Sequence, residues 1–319
     1  MSSLIENAES EMTLTVLGCG TIGIAILSGI LSSLNTLQTP SPISPTASGT
    51  STPAYPTEPP THLPSKFIAC VRRSDITILQ NENVLAVQRA SIILLACKPY
   101  MVNEIISEPG MAQALAGKLL ISICAGVTVE QLQTELFAEQ TKGLTDLASA
   151  SNSCTIVRAM PNTASKIRES MTVISTSTPP LPESTTALLT WIFTRIGEVV
   201  FLPPSTMDAC TALCGSGPAF LALMLEATID GAVAMGLPRA EAQKMAAQTM
   251  RGAAGLVLSG EHPALLRDKV STPGGCTIKG LLVLEEGRGR GTVARAVREA
   301  KVVARQLGKG VVGVNETRF

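Results

Sequence analysis

The sequence predicts an α/β protein in two parts, a parallel-sheet domain followed by an all-α domain, and three observations carry that expectation. Short apolar runs alternate with helical periodicity from Thr13 onward. A glycine-rich turn stands directly after the first run. The strand pattern stops near Pro204, where alanine-rich helical segments take over. A chain of 319 residues is long enough for two cores of ordinary size. The boundary is placed at 204/205, giving domains over 1–204 and 205–319.

Candidate strands cover 14–18, 66–71, 92–96, 119–124, 155–159, 171–175 and 198–202. Their aliphatic and β-branched runs suit a sheet covered on both faces. After the first, Gly18-Cys19-Gly20-Thr21-Ile22-Gly23 opens a segment in which Ile22, Ile26 and Ile30 recur at helical spacing, so the first unit is strand, glycine turn, helix. Residues 38–65 are rich in proline, serine and threonine and carry almost no charge. Such a segment buries too little apolar surface to offset the entropy of ordering, and a disordered surface insertion is expected. Past Pro204 the expected helices are 219–235, closed by Gly236, then 239–258, 278–286 and 293–307. The uncharged stretch 209–225 contains Gly215-Ser216-Gly217-Pro218, which reads as a turn entering a buried helix rather than a membrane span.

Composition narrows the partners. Lys and Arg number 25, matching 25 Asp and Glu, so nothing favours a nucleic-acid backbone or an anionic membrane, and a small molecule fits better. The eight cysteines lie in or beside apolar runs without a CxxC pair, as expected of reduced thiols in a cytoplasmic protein with no metal centre. Residues 1–11 are acidic and lack the apolar core of a secretion signal.

The motif Gly18-x-Gly20-x-x-Gly23 has a physical reading in this context. The first glycine allows a tight turn, the second lets backbone approach a pyrophosphate, and the third allows close helix–strand packing; Thr21 and Ile22 supply amides at the helix start. At the end of the second strand an acidic residue would bind the ribose hydroxyl of NAD. Here Arg72, Arg73 and Ser74 stand instead, groups suited to a 2′-phosphate, so NADPH is preferred over NADH; a solvated basic pair is the alternative. Ala96-Cys97-Lys98-Pro99, Cys124-Ala125-Gly126 and Met160-Pro161-Asn162-Thr163 each follow an apolar strand and should line the cofactor cleft, although Lys98 could equally be a solvated loop residue.

In the second half, residues 268–277 combine small side chains and Pro273 ahead of a helix, exposing backbone amides that favour a carboxylate; a plain N-cap by Thr272 or Thr277 is compatible with that role. His62 and His262 are the only histidines, and His262 reads as structural. Glu226 and Asp230 share one helix face and read as a solvated edge. An imine that is already protonated needs little acid–base machinery, because its positive nitrogen activates the adjacent carbon for hydride.

These segments, together with Arg158-Ala159-Met160-Pro161-Asn162-Thr163 and Cys214-Gly215-Ser216-Gly217-Pro218-Ala219, resemble the pyrroline-5-carboxylate reductase family over nearly the whole chain. The resemblance implies an N-terminal Rossmann-type domain, a C-terminal helical dimerisation domain and NAD(P)H-dependent reduction of 1-pyrroline-5-carboxylate to L-proline. It further implies that Asn83 lies near the cofactor ribose. Thr277 would sit beside the pyrroline nitrogen as the candidate catalytic residue, and amides around Gly275, Cys276 and Thr277 would hold the substrate carboxylate. Thr272 stands where serine is usual and Cys276 where alanine or threonine is usual. A related imine or keto-acid reductase, or a silent NADPH-binding paralogue, remains open at this point.

Replacing Arg72 and Arg73 together with alanine is expected to narrow the preference for NADPH over NADH. Loss of charge-assisted hydrogen bonds worth about 1.5–3 kcal/mol corresponds to roughly 10–150-fold in the ratio of kcat/KM values. An unchanged ratio would move the 2′-phosphate site elsewhere.

Overall fold

The computed structural model describes residues 12–36, 60, 62–70, 82–140 and 154–307. Seven strands are present where the sequence places them, with ends shifted by no more than two residues: β1 (Met12–Leu17), β2 (Pro64–Cys70), β3 (Ile92–Leu95), β4 (Leu119–Ser122), β5 (Thr155–Met160), β6 (Ser170–Ser175) and β7 (Gly197–Leu202). They form one sheet in the order β2-β1-β3-β4-β5-β6-β7. The first five strands are parallel, with Leu17 opposite both Cys70 and Leu95. The last two are parallel to each other, but β6 runs antiparallel to β5, with Met160 opposite Val173. The expectation of a parallel sheet is corrected there. Only the turn 161–169 joins β5 to β6, too short for the crossover that a parallel partner needs.

Both faces of the sheet are covered, which explains the unbroken apolar runs. On one face Leu17, Ile93, Leu95 and Leu120 pack with residues of α2 (Asn83–Gln88), α3 (Val102–Ile106), α4 (Met111–Leu115) and α5 (Val129–Gln140). On the other, Val16, Leu94, Ile121 and Val157 meet Ile26 and Ile30 of α1 (Thr21–Thr36) and Leu189, Ile192 and Phe193 of α6 (Glu183–Thr194). The expected insertion lies outside the described residues as far as residue 59. Its last two residues do not belong to it. Pro64 and Ser65 are in β2, and Pro64 takes the first strand position, where a missing N–H is tolerated.

The helical part comprises α7 (Met207–Cys210), a π turn (Thr211–Gly215), α8 (Gly217–Ala234), α9 (Arg239–Leu258), α10 (Pro263–Val270), α11 (Cys276–Glu286) and α12 (Gly289–Leu307). The described residues fall into two compact units, the second being Ser216–Ala300 and the first the remainder. Helix α10 was not expected. None of its residues is buried, but its start carries two signals, Pro263 in the first turn and His262 as N-cap, whose Nδ1 accepts a hydrogen bond from Ala264 N at 3.2 Å. His262 is thus a capping residue. Asp230 accepts from Arg239 at 2.8 Å, both side chains exposed, as a solvated edge should be.

The reading of a buried helix after Pro218 is also corrected. Pro218 lies in the first turn of α8, and among the described residues of that helix only Ile229 is buried, while Leu221 and Leu223 are exposed. By length and composition the path Pro204–Ala234 could cross a membrane. Its first third is instead part of the first unit's core, where Met207 and Cys210 pack on Met160 and Val173, and the π turn follows.

Gly197, at φ 145°, opens β7 so close to Ser170 that a Cβ would overlap that residue's backbone. Gly197→Ala is expected to lower stability by about 2 kcal/mol or more, read as a lower urea midpoint at unchanged slope.

Candidate active site

The site begins at the carboxyl ends of the parallel strands. Chain order reverses between β1 and β3, so their ends splay apart into the crevice where open α/β sheets bind ligands. Gly18 adopts φ 71° there, and a Cβ on it would lie 2.7 Å from Cys97 Cα and 2.8 Å from Cys97 N. The amides of Gly18 and Cys19 both donate to Cys70 O, at 3.2 and 3.1 Å, tying the turn to the end of β2. Gly23 packs on the sheet, where a Cβ would meet Val16 Cγ1 at 3.1 Å and Ala96 Cβ at 3.3 Å. Gly20 is different. Its nearest neighbour in the Cβ direction is Gly18 O at 3.8 Å, so space is open above it.

Ile24 N donates to Gly20 O at 2.9 Å, the first rung of the α1 ladder. The amides of Thr21, Ile22 and Gly23 precede that rung and are the orphan donors of a helix N-terminus. An open glycine backed by such donors fits a dinucleotide pyrophosphate. The three glycines therefore occupy the three physical situations that the motif requires.

The neighbouring segments gather along the same edge. Ala96 N donates to Leu17 O at 2.8 Å, and Lys98, extended at ψ 144°, leads into a short turn opened by Pro99. After β4 comes Cys124-Ala125-Gly126, with Gly126 at φ 77°. It leads into α5 through a capping box: Gln131 N donates to Thr128 Oγ1 at 3.2 Å and Thr128 N to Gln131 Oε1 at 2.8 Å. The thiols of Cys97 and Cys124 touch at 3.9 Å, and the Cys97 thiol is held protonated by its bond to Cys124 and by burial. Burial also pushes the Cys70 thiol up to about 11. All eight cysteines are free; Cys276, contrary to the expectation of burial, is exposed.

Asn162, two residues past β5, caps the turn that follows and is fixed from three sides. Its amide donates to Ser170 Oγ at 2.9 Å, its Oδ1 accepts from Ala164 N at 2.9 Å, and its carbonyl accepts from the Ser165 hydroxyl. Ser165 and Ser170 are thus part of the frame, although nothing in their spacing marks them. Arg158, the register partner of Ser122, is buried with its Nη2 unpartnered among the described residues. Asn83 opens α2 and donates to Glu108 Oε1 at 2.5 Å. Arg72 and Arg73 lie outside the described residues.

The second set of predicted residues lies in the second unit, at the start of α11. Gly274 takes φ 67°, and Gly275 N donates to Thr272 O at 3.0 Å, closing a turn. A Cβ on Gly275 would overlap Thr272 Oγ1. Gly275 is the N-cap, without a side-chain capping bond, so the cap is neither Thr272 nor Thr277. Cys276 and Thr277 are the first two helical residues, and their amides point out of the helix start, half of a macrodipole suited to a carboxylate.

Residues 13–126 match the family described as NADP oxidoreductase coenzyme F420-dependent, and residues 204–307 match pyrroline-5-carboxylate reductase dimerisation. Fold, glycine turn and these matches define an oxidoreductase with a Rossmann-type nucleotide domain. The chain is 61% identical to a pyrroline-5-carboxylate reductase of Lophium arboricola, over 97% of this chain and 98% of that one. It is 58% identical to that of Neurospora crassa over 98% of each. The crystal structure of Plasmodium falciparum pyrroline carboxylate reductase with NADP bound, 24% identical, shares the fold at a TM-score of 0.72 over 93% of this chain and 98% of that chain. The chain belongs to the pyrroline-5-carboxylate reductase family.

The glycines separate folding from binding. Gly20→Ala is expected to leave the thermal midpoint within a degree or two while weakening NADPH at least about tenfold, ~1.4 kcal/mol. Gly18→Ala forces β1 and β3 apart and should lose stability and binding together. Fluorescence titration beside thermal unfolding distinguishes the two.

Proposed function

We propose that this chain reduces 1-pyrroline-5-carboxylate to L-proline by hydride transfer from NADPH to the ring imine carbon. The observation that carries the reading is identity of 58–61% to pyrroline-5-carboxylate reductases along the full chain, joined to an open glycine turn at the sheet edge. When bound, NADPH supplies the hydride. The amides of Thr21, Ile22 and Gly23 hold the pyrophosphate, with Gly20 leaving room for it and Gly18 making the turn against Cys97. Ala96, Lys98, Pro99, Cys124, Ala125, Gly126 and Asn162 line the rest of the dinucleotide site, with Asn83 toward the ribose. The preference for NADPH over NADH rests on Arg72 and Arg73.

The substrate is an anion at one end and a cation at the other. Amides at Gly275, Cys276 and Thr277 hold the carboxylate, aided by the α11 dipole, and Thr272 shapes the turn that presents them. The Thr277 hydroxyl orients the ring nitrogen. Because that nitrogen is already protonated, addition of hydride to carbon completes the C–N single bond and neutralises the charge, and no separate general acid is needed. His262, the one histidine near α10, is committed to its helix cap.

The first domain, 1–204, serves the cofactor, and the second, 205–319, binds substrate and pairs two copies. The dimer is supported by the apolar surface of the second unit: Leu223, Leu258, Leu282 and Leu284 are exposed, and Ile229 and Ala242 are its only buried hydrophobic residues among those described. Too little is buried within that unit to hold its helices together. A cytoplasmic setting accords with eight free thiols. Turnover of 1-pyrroline-5-carboxylate by the purified chain tests the whole reading. Reduction of other cyclic imines or keto acids with no turnover of this one would overturn it.

Thr277→Val keeps shape and removes the hydroxyl. Turnover efficiency is expected to fall about 10–100-fold, with NADPH affinity unchanged. Since Gly275 is the cap, the thermal midpoint should hardly move. Full activity would leave the amides as the whole substrate anchor.

A further inference from the structure

A cleft of about 430 Å³ runs beside α1, with Thr21, Ser28 and Gly29 on one wall and Ser165, Lys166 and Arg168 of the turn after β5 on the other. Residues 21, 28 and 29 share a helix face across two turns, about 12 Å. Only Thr21 is shared with the dinucleotide turn. The cleft borders the segment after β5, whereas a cofactor 2′-phosphate is expected at the end of β2, on the other side of β1.

The charge around it is one-sided. Neither Lys166 nor Arg168 has a hydrogen bond or ion pair from its side chain among the described residues, and Glu169 beside them neither lines the cleft nor pairs with them. Gly29 packs so tightly that a Cβ would lie 3.0 Å from Arg195 O, so the backbone of Arg195 borders the same flank. The Arg195 guanidinium is fixed by bonds to Trp191 O at 3.3 Å and Thr194 Oγ1 at 3.2 Å. Burial, and then repulsion from Arg168, hold its pKa below the usual guanidinium range. Arg168 is itself held at φ 60° by the turn, with its amide donating to Ser165 O at 3.2 Å. Ser165 gives its own hydroxyl proton to Asn162 O, so Thr21 and Ser28 remain as neutral donors.

We propose that this cleft binds a doubly charged oxyanion, phosphate or the phosphate group of a small metabolite, through Lys166 and Arg168 with the Thr21 and Ser28 hydroxyls completing its hydrogen bonds. Two unpaired cations on one wall, one of which repels the Arg195 guanidinium, are balanced by such a charge, and a monovalent ion would neutralise only one of them. The volume exceeds what a bare ion fills and admits an organic body.

The test is calorimetric titration of the full chain, saturated with NADPH, with inorganic phosphate and separately with glycerol 3-phosphate at constant ionic strength. One site per chain is expected. The double variant Lys166→Gln, Arg168→Asn should weaken it at least about tenfold; asparagine tolerates the left-handed backbone, so folding is preserved. Tighter binding of the ester identifies a metabolite as the source, and tighter binding of the free ion identifies phosphate. Absence of saturable binding, or equal affinity in the double variant, overturns the proposal. So does a wild type that ignores phosphate while the variant changes its sedimentation, which would make the cleft a contact between copies.

Discussion

The contact on which the rest of the nucleotide unit depends is that of Gly18 with the backbone of Cys97. A parallel sheet whose chain order reverses between β1 and β3 must bring the first turn against the end of the third strand, and no side chain can be present at the point of closest approach. The register of Leu17 against Leu95, the bond from Ala96 N to Leu17 O and the seat of Gly23 on Val16 all follow from that approach. With those positions fixed, the amides of Thr21, Ile22 and Gly23 have one direction in which to point. Binding geometry here is a by-product of packing.

The strands were legible because a sheet covered on both faces demands short unbroken apolar runs, rich in β-branched residues and bounded by turn residues. Direction was less so: β6 reads as apolar whichever way it runs, and only the shortness of 161–169 reveals the reversal. Helix α10 was hidden by Arg267, Asp268 and Lys269, which lie on a mostly solvated helix and mimic a loop; its start, His262-Pro263, was the readable part. The cap of α11 was misplaced onto threonine because side-chain capping is the commoner solution, whereas Gly275 is held by the turn to Thr272 O. Pro64 and Ser65 share the composition of the insertion yet belong to β2, since pairing with β1 overrides local propensity there.

The proposed substrate end was legible mainly through resemblance. Thr277 is an ordinary helix residue by pattern, and small residues before a helix are common. What the structure adds is that its hydroxyl takes no part in capping α11. The boundary placed at 204/205 coincides with the start of the dimerisation match, while compactness divides the chain after Gly215, because α7 and the π turn pack on β5 and β6. Both positions describe one helical path that starts on the sheet and leaves it.

That path follows from the direction of the last strands. Five strands running one way and two running the other leave Leu202 at the end of the sheet opposite the glycine turn. The segment from Met207 to Gly215 then climbs back along β5 and β6 until Gly215 lies beside Met160, at the end of β5 next to Asn162. One reversal and one climb cancel. The exit pole depends on the direction of the last strand alone: a homologue without β7 and α6 would still release its chain from β6 at that pole, whereas one without the reversal at 161–169 would release it beside the glycine turn and need no climb.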